Sequence, residues 1–330
     1  MEEKIDIKSM TLDELKESFA QINLPKFRAE QVYKWLQEQG VTSFDEMSNI
    51  SKELRKQLSD KYIICNCSIE KKLVSEYDST VKYLFKLNDS EFIESVLMKY
   101  KYGYTLCVST QVGCKMGCSF CASTIGGFCR NLRPSEILSQ IHTAQNDNGV
   151  RVSHIVLMGM GEPMDNFDNV IRFLNLVTDE KGLNISMRHI SLSTCGVVDG
   201  IYKLLEKNFQ LTLSVSLHAP NDEIRSRIMP VNKKWGVDEL IEACKKYIAK
   251  TNRRISFEYA MIDGVNDTDE CARELARLLK GMLCHVNLIP ANEVRENDYK
   301  RSSKARLEKF SEILQSKGIT TTIRRTLGSD

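Results

Sequence analysis

The alternation of strand-like and helix-like segments from residue 104 onward constrains the fold of this chain most. The predicted strands are 104–110, 152–158, 188–193, 210–217, 254–262 and 283–290, and the amphipathic helices that follow them are 134–147, 166–178, 198–207, 237–250, 267–281 and 303–316. A last strand is predicted over 319–325. This alternation indicates an α/β fold with a parallel sheet. Because six units are too few for a closed eight-fold barrel, we expect an open, partial (βα)6 barrel.

The first ninety or so residues follow a different pattern. The first predicted element is a helix that begins with a capping box at Thr11 and Glu14 and runs toward Gln21. It is followed by helices over 27–38 and 51–58 and by strands over 80–87 and 92–100. We therefore predict that residues 1–90 form a small helical accessory domain with linking strands, and that residues 91–330 form the partial barrel.

The amino-acid composition indicates the cellular compartment but does not identify a binding partner. No run approaches the roughly 20 apolar residues of a membrane-spanning helix, and the N-terminus lacks the pattern of a secretory signal. Eleven cysteines in such a chain favour a reducing cytoplasm, with thiols that are free or bound to metal. A net charge of +2 neither requires nor excludes a nucleic-acid partner.

Three cysteines, Cys114, Cys118 and Cys121, lie within eight residues at the spacing C-x3-C-x2-C. Three thiolates on one short loop can hold an iron–sulfur cluster. Since no fourth cysteine follows at regular spacing, one iron would keep open positions, where a small chelating substrate could bind and receive an electron. The alternative is a structural zinc knuckle, but zinc usually recruits a nearby histidine or a second cysteine pair. The nearest histidine, His142, falls within a predicted helix.

Small, polar or titratable residues collect where the other predicted strands end. They are Gly161 and Glu162 after the second strand, Ser193 at the third, Ser216, Leu217 and His218 at the fourth, and Asn292 after the sixth. Because barrel enzymes build their sites at the carboxyl ends of strands, these loops predict one common site. Other interpretations stay open at each position: a tight turn for the glycines, helix caps for the serines and the asparagine, and a proton carrier, a hydrogen-bond donor or a structural residue for the histidine.

Two further residues stand inside predicted strands. Cys107 precedes the cysteine loop, and a cysteine in a strand is usually part of the core. Glu94 lies in an otherwise apolar strand, where a carboxylate is either on the solvated face or a base with a raised pKa. Pairs of basic residues, such as Arg253 with Arg254 and Arg324 with Arg325, are either solvated surface or phosphate-binding groups near a site.

Taken together, the motifs resemble those of radical S-adenosylmethionine (SAM) enzymes. More narrowly, the chain resembles the RlmN/Cfr group, which methylates carbon 2 of adenine in ribosomal and transfer RNA. The segments that carry this resemblance are 31–35, 111–114, 158–163, 216–221 and 287–290, and they span nearly the whole chain. Pro163 resembles the housekeeping branch of the group, because the antibiotic-resistance branch usually has alanine there.

The resemblance implies a role for each candidate residue. Cys114, Cys118 and Cys121 would bind one 4Fe-4S cluster, whose open iron would be chelated by the amino and carboxylate groups of SAM. Glu94 matches a proton acceptor, and Cys107 matches a cysteine that releases the methylated RNA through a disulfide bond. The positions that match contacts to SAM are Gly161, Glu162, Ser193, Ser216, Leu217, His218 and Asn292.

The resemblance also implies the reaction and its partners. Carbon 2 of adenine is too electron-poor to attack a sulfonium methyl group, so the family uses two SAM molecules for each methylation. One methylates a cysteine near the C-terminus, and the other yields a radical that activates this methyl group. The implied substrates are 23S ribosomal RNA and transfer RNA, recognised by shape and by an extruded adenosine. A flavodoxin-type electron donor and a monomeric enzyme complete the expectation.

One departure concerns the methyl-carrying cysteine. In the family it follows a Gly-x-Asp segment, whereas this sequence ends at Asp330 and its last cysteine is Cys284, within a predicted strand. We expect a truncated sequence rather than a lost activity, and a polypeptide that binds cluster and cofactor but does not methylate RNA. Two alternatives remain: a radical SAM enzyme for a small molecule, and a non-catalytic metal-containing RNA-binding protein.

Overall fold

The computed structural model describes residues 4–291 and 298–325. Its N-terminal part contains β1 (Ile5–Asp6), α1 (Leu12–Ala20), α2 (Lys26–Lys34), α3 (Lys52–Lys61) and β2 (Tyr62–Ile63). The capping box is confirmed, because the Thr11 hydroxyl accepts from the Glu14 amide while the Glu14 carboxylate accepts from the Thr11 amide. The second helix is shorter than predicted, since it passes into a π-helical turn, Trp35–Gln39, that Gly40 closes at φ 68°.

The remaining elements build a ten-stranded sheet with helices between its strands. In chain order they are β3 (Cys67–Val74), β4 (Val81–Leu87), β5 (Phe92–Tyr100), β6 (Gly103–Cys107), β7 (Gln111–Gly113), β8 (Phe128–Asn131), α4 (Pro134–Asn148), β9 (Val152–Leu157), α5 (Phe167–Thr178), β10 (Ile190–Thr194), α6 (Val198–Lys207), β11 (Thr212–Ser216), α7 (Asp222–Ile228), α8 (Val237–Thr251), β12 (Ile255–Met261), α9 (Asp269–Leu278), β13 (Cys284–Pro290), α10 (Lys304–Ser316) and β14 (Thr321–Ile323).

The sheet has a parallel and an antiparallel half. Its strand order is β14-β13-β12-β11-β10-β9-β6-β5-β4-β3. All neighbours from β6 through β9 to β14 are parallel, and β3 to β6 pair antiparallel. The parallel half confirms the predicted α/β partial barrel, in which the carboxyl ends of successive strands meet at one edge.

Three of the differences between the fold and the sequence prediction concern the main sheet and the loops at its edge. The strand predicted over 104–110 ends at Cys107, because the amides of Thr110 and Gln111 both turn to the carbonyl of Met160 and β7 then forms a separate hairpin with β8. Strand β3 was not predicted, since seven of its eight residues are exposed and it therefore lacks alternation. The short helix α7 was also missed.

Two hydrophobic clusters divide the molecule. The smaller consists of residues from Ile7 to Ile64 together with Leu176, and the larger fills the space between the sheet and its helices. Strands β3 and β4 belong to the main sheet, while the predicted division of the chain near residue 90 stays a prediction. Within the described residues no helix has the length and apolar character needed to cross a bilayer.

Candidate active site

A cavity of about 400 Å³ opens at the carboxyl ends of the parallel strands. It is lined by Cys114, Cys118 and Cys121 together with residues from the ends of β9, β10, β11, β12 and β13. The fold therefore brings these separate loops together around one cavity, while their role as one site stays a prediction. A larger cavity of about 630 Å³ lies between α1 and the start of α4, and no cysteine lines it.

The β7–β8 hairpin positions the cysteine loop. The Cys114 amide donates to the carbonyl of Gly127 at 3.0 Å, and the Thr124 hydroxyl donates to the carbonyl of Cys121 at 2.8 Å. Gly113 has φ 72°, and a Cβ atom there would lie only 1.8 Å from the carbonyl oxygen of Gly127. Only glycine permits this close approach, so the hairpin places Cys114 at the start of the loop.

The three thiols of the loop line one cavity and are candidate ligands of an iron–sulfur cluster. A cluster takes each thiolate on a separate iron. Burial raises the pKa of Cys114 to about 11, and burial with the neighbouring thiols raises that of Cys118 to about 12. These groups therefore need a bound cationic centre to become thiolates.

Glu162 connects two loops at the wall of the cavity. It is 3% exposed, and its two oxygens accept from the amides of Met164 at 2.9 Å and Cys195 at 2.7 Å. Burial raises the pKa of its carboxyl group. The preceding Gly161 has φ 101°, and a Cβ there would come within 2.6 Å of Gln111. The glycine is thus required by the turn and also lines the cavity.

The two serines are not helix caps. Ser193 and Ser216 line the cavity, whereas the N-cap residues of α6 and α7 are Val197 and Asn221. The serine hydroxyls therefore remain available to a ligand. Leu217 does not line the cavity: its side chain is fully buried, and its backbone amide donates to the carbonyl of Glu258 at 3.1 Å.

His218 presents one defined tautomer. Its Nδ1 accepts from the Ala260 amide at 2.9 Å, so the proton is on Nε2. Burial, with the charge of Arg225, lowers its pKa to about 3, and the ring of Phe120 meets it edge-on at 4.9 Å. Of the three roles left open by the sequence, a neutral hydrogen-bond donor fits these surroundings and a proton carrier does not.

Glu94 and Cys107 lie outside the lining of the cavity. Burial raises the pKa of Cys107 to about 11, and its strand partner Val156 is two residues before Met158 in the cavity wall. The Glu94 side chain is 47% exposed and pairs with Lys82 at 2.9 Å, so it lies on a solvated face. All eleven cysteines are free thiols, and the implied disulfide is not formed. Asn292 lies outside the described residues.

The sequence prediction missed two residues that shape the site. Glu258 lines the cavity, and its carboxylate accepts from Ser256 at 2.7 Å and Asn287 at 2.8 Å. A carboxylate within an apolar strand was a usable signal. Arg225 is fully buried and donates to the carbonyls of Leu217 at 3.0 Å and Cys195 at 2.6 Å, which joins two cavity loops. Nothing in the local sequence distinguishes it from a surface arginine of α7.

Comparisons with known proteins agree with this geometry. Residues 108–279 match the radical SAM superfamily, and residues 5–64 match the "ribosomal RNA large subunit methyltransferase N-terminal domain". A probable dual-specificity RNA methyltransferase RlmN from Alkaliphilus oremlandii is 55% identical over 99% of this chain and 95% of its own length. The corresponding protein from Clostridium tetani is 54% identical over 99% and 93%.

A solved structure extends the agreement to the fold. The crystal structure of a radical SAM methyltransferase from Sphaerobacter thermophilus superposes with a TM-score of 0.93 at 41% identity, covering 97% of this chain and 95% of that one. Enzymes of this superfamily use a 4Fe-4S cluster and SAM, which the three cysteines and the cavity can accommodate. The chain therefore belongs to the RlmN family of radical SAM methyltransferases.

Proposed function

We propose that this protein methylates carbon 2 of an adenosine in 23S ribosomal RNA and in transfer RNA. The observation that carries the proposal is that Cys114, Cys118 and Cys121 line one cavity with Glu162, Ser193, Ser216 and His218. The names of the relatives, which describe dual-specificity RNA methyltransferases, and the match of residues 5–64 support RNA as the substrate.

The cysteines would hold the cluster, and the cavity next to them would hold SAM. When bound, the cluster and SAM supply the one-electron chemistry that an electron-poor ring carbon requires. The protein contributes a cavity whose lining includes the apolar side chains of Met116, Phe120, Met158 and Met229, which limits access of water to the reacting groups. The positive φ of Gly161 lets the backbone approach a ligand closely.

The polar groups of the wall would orient SAM. The carboxylate of Glu162 already accepts two backbone hydrogen bonds, but its remaining lone pairs can accept from an amino group. Ser193 and Ser216 can donate to or accept from the ribose or carboxylate, and His218 can only donate through Nε2. This division of acceptors and donors suits a zwitterionic amino acid with a ribose.

Glu94 and Cys107 would act on the RNA side of the site. They lie on the same face of β5 and β6, since Val96 pairs with Cys107 and Glu94 is two residues from Val96. An adenosine placed over this face would bring its ring within reach of both groups. Glu94 would accept the proton from carbon 2. Cys107 would attack the sulfur of the methyl-carrying cysteine implied by the resemblance, so that a disulfide forms as the bond from that sulfur to the RNA-linked carbon breaks and the product is released.

Further properties follow from the same proposal. The accessory domain within residues 1–90 would bind RNA, and a flavodoxin-type protein would donate the electron. The enzyme would act as a monomer in the cytoplasm, where its eleven free thiols remain reduced. Cys284 is buried in β13 and is not assigned the methyl-carrying role.

The test compares two polypeptides after anaerobic reconstitution with iron, sulfide, SAM and a 23S ribosomal RNA transcript. One is the 330-residue chain, and the other is the same chain extended by a segment with the methyl-carrying cysteine that the resemblance implies. We expect both to bind the cluster and only the extended chain to produce 2-methyladenosine. Formation of 5′-deoxyadenosine without any RNA methylation by the extended chain would favour a small-molecule substrate. Absence of a reducible cluster would leave only a non-catalytic RNA-binding role.

A further inference from the structure

The antiparallel half of the sheet has one covered and one open face. The covered face packs on α4: the Tyr83 hydroxyl donates to Asp147 at 2.7 Å, and the Ser95 hydroxyl donates to Gln140 at 2.6 Å. Neighbouring side chains on this face, such as Phe85, are fully buried. The alternate residues of β3, β4 and β5 therefore point to the opposite side.

The strand register defines that opposite side, which we call the open sheet face. Leu73 pairs with Lys82, Lys71 pairs with Leu84, and Lys86 pairs with Phe92. Leu73 is 54% exposed and Phe92 is 40% exposed, and Lys71 and Lys82 are exposed as well. The face thus combines three lysines with three apolar or aromatic side chains.

The open sheet face is continuous with the candidate active site. Val96 follows Phe92 on the same side of β5 and pairs with Cys107 of β6. Cys107 pairs with Val156 of β9, and Met158, on the same side of that segment, lines the cavity. A chain lying along this face would therefore reach the cavity past Glu94 and Cys107.

The charge of the face is positive. Its single acidic residue in the register, Glu94, is already paired with Lys82 at 2.9 Å. Lys71 and Lys86 form no ion pair with any described residue. Glu70 stands at the bulge between Ile69 and Lys71 and has no partner in the register. Two lysines are thus left to attract an anionic partner.

We propose that the open sheet face binds the RNA segment next to the target adenosine, an inference that rests on the proposed function. Lys71 and Lys86 would contact phosphates, while Phe92 and Leu84 would contact bases. Lysines alternating with exposed ring and aliphatic surface are typical of platforms for single-stranded nucleic acid, on which bases stack between phosphate contacts. A protein partner would instead require a contiguous apolar centre with few lysines.

The experiment measures the affinity of the reconstituted 330-residue chain for a protein-free 23S ribosomal RNA transcript at several salt concentrations. The double variant Lys71→Gln with Lys86→Gln removes the two unpaired charges. The matched control, Lys207→Gln with Lys250→Gln, removes two exposed lysines from the ends of α6 and α8. We expect binding by the first variant to weaken on the order of tenfold, with a salt slope shallower by about 1.4. The control should bind as the unmodified chain does.

A third variant, Phe92→Ala, separates stacking from charge. It should weaken binding by about 5-fold or more without changing the salt slope. Unchanged binding by both the lysine pair and the Phe92 variant, in a chain that does bind the transcript, would overturn the open sheet face as an RNA site. Failure of the unmodified chain to bind the transcript at any salt concentration would instead count against the proposed function.

Discussion

The cavity and the contact between the N-terminal helices and α4 both bury polar groups, yet they use them differently. At the contact, Lys8 is fully buried and donates to Asn66 at 3.0 Å and to Ser139 at 2.9 Å. At the cavity, Cys118 and His218 are nearly as buried, but their remaining binding capacity faces an open space. Burial and a shifted pKa therefore do not by themselves identify a binding site. A better indication is a hydrogen-bond donor or acceptor that has no partner and faces a cavity.

The largest effect is expected from a substitution in the lining of the cavity, which leaves the contact between the N-terminal helices and α4 unchanged. Replacing Cys118 with serine should abolish cluster binding and 5′-deoxyadenosine formation, because only two thiolates of the loop would remain. Replacing Cys129 with serine should change neither, since that thiol is exposed and does not line the cavity. Iron content and visible absorbance after reconstitution give the answer. A Cys118→Ser protein with a full complement of iron would show that the cluster is held elsewhere.

Whether the sequence predicts an element or a site residue depends on the pattern of the residues around it. The parallel strands were predicted because their residues are buried, and the cavity was predicted because the ends of such strands meet. Strand β3 was missed because an edge strand exposes nearly every residue. Arg225 was missed because its burial arises only when α7 packs beneath the cavity loops.

The site residues implied by the resemblance do not all lie at the cavity. Gly161, Glu162, Ser193, Ser216 and His218 line the cavity. Leu217 is buried behind it, with its carbonyl accepting from Arg225, and Glu94 and Cys107 lie on the neighbouring sheet face. A motif shared with a family identifies the position of a residue along the chain. Packing determines which side of its strand the residue faces and how deeply it is buried.

The second prediction concerns the contact and its dependence on pH. Burial lowers the pKa of Lys8 from 10.5 to about 8. Between these values the unfolded chain binds one proton more than the folded chain, so the contribution of Lys8 to the free energy of unfolding rises with pH. The variant Lys8→Met lacks this term. Across this range the unmodified chain should gain on the order of 3 kcal/mol relative to the variant.

Urea unfolding of both proteins from pH 7.5 to 10.5, followed by circular dichroism, measures this difference. Parallel pH profiles for the two proteins would show that the pKa of Lys8 is not lowered in the folded chain. The cluster should remain in Lys8→Met, because no residue of the cavity contacts Lys8 directly. Iron content therefore serves as the control that separates the contact from the cavity.

The smallest expected effect compares the two buried histidines. Burial lowers the pKa of both His142 and His218 to about 3, so both are neutral at physiological pH. His142 uses Nε2 on the carbonyl of Gln37 at 2.9 Å, whereas the Nε2 of His218 has no hydrogen-bond partner among the described residues. The Nδ1 of His142 also has no partner among the described residues, but His142 does not line the cavity, so only His218 should matter for SAM.

The matched variants are His218→Asn and His142→Gln. Asparagine tolerates the φ of 57° at position 218 and can replace Nδ1 as acceptor for the Ala260 amide, but it lacks the Nε2 donor. Glutamine can keep the hydrogen bond to Gln37. Loss of one donor should weaken SAM binding to the reconstituted protein about tenfold in the first variant. Equilibrium dialysis should find the second variant unchanged. Equal affinities in all three proteins would mean that His218, like His142, serves only the fold.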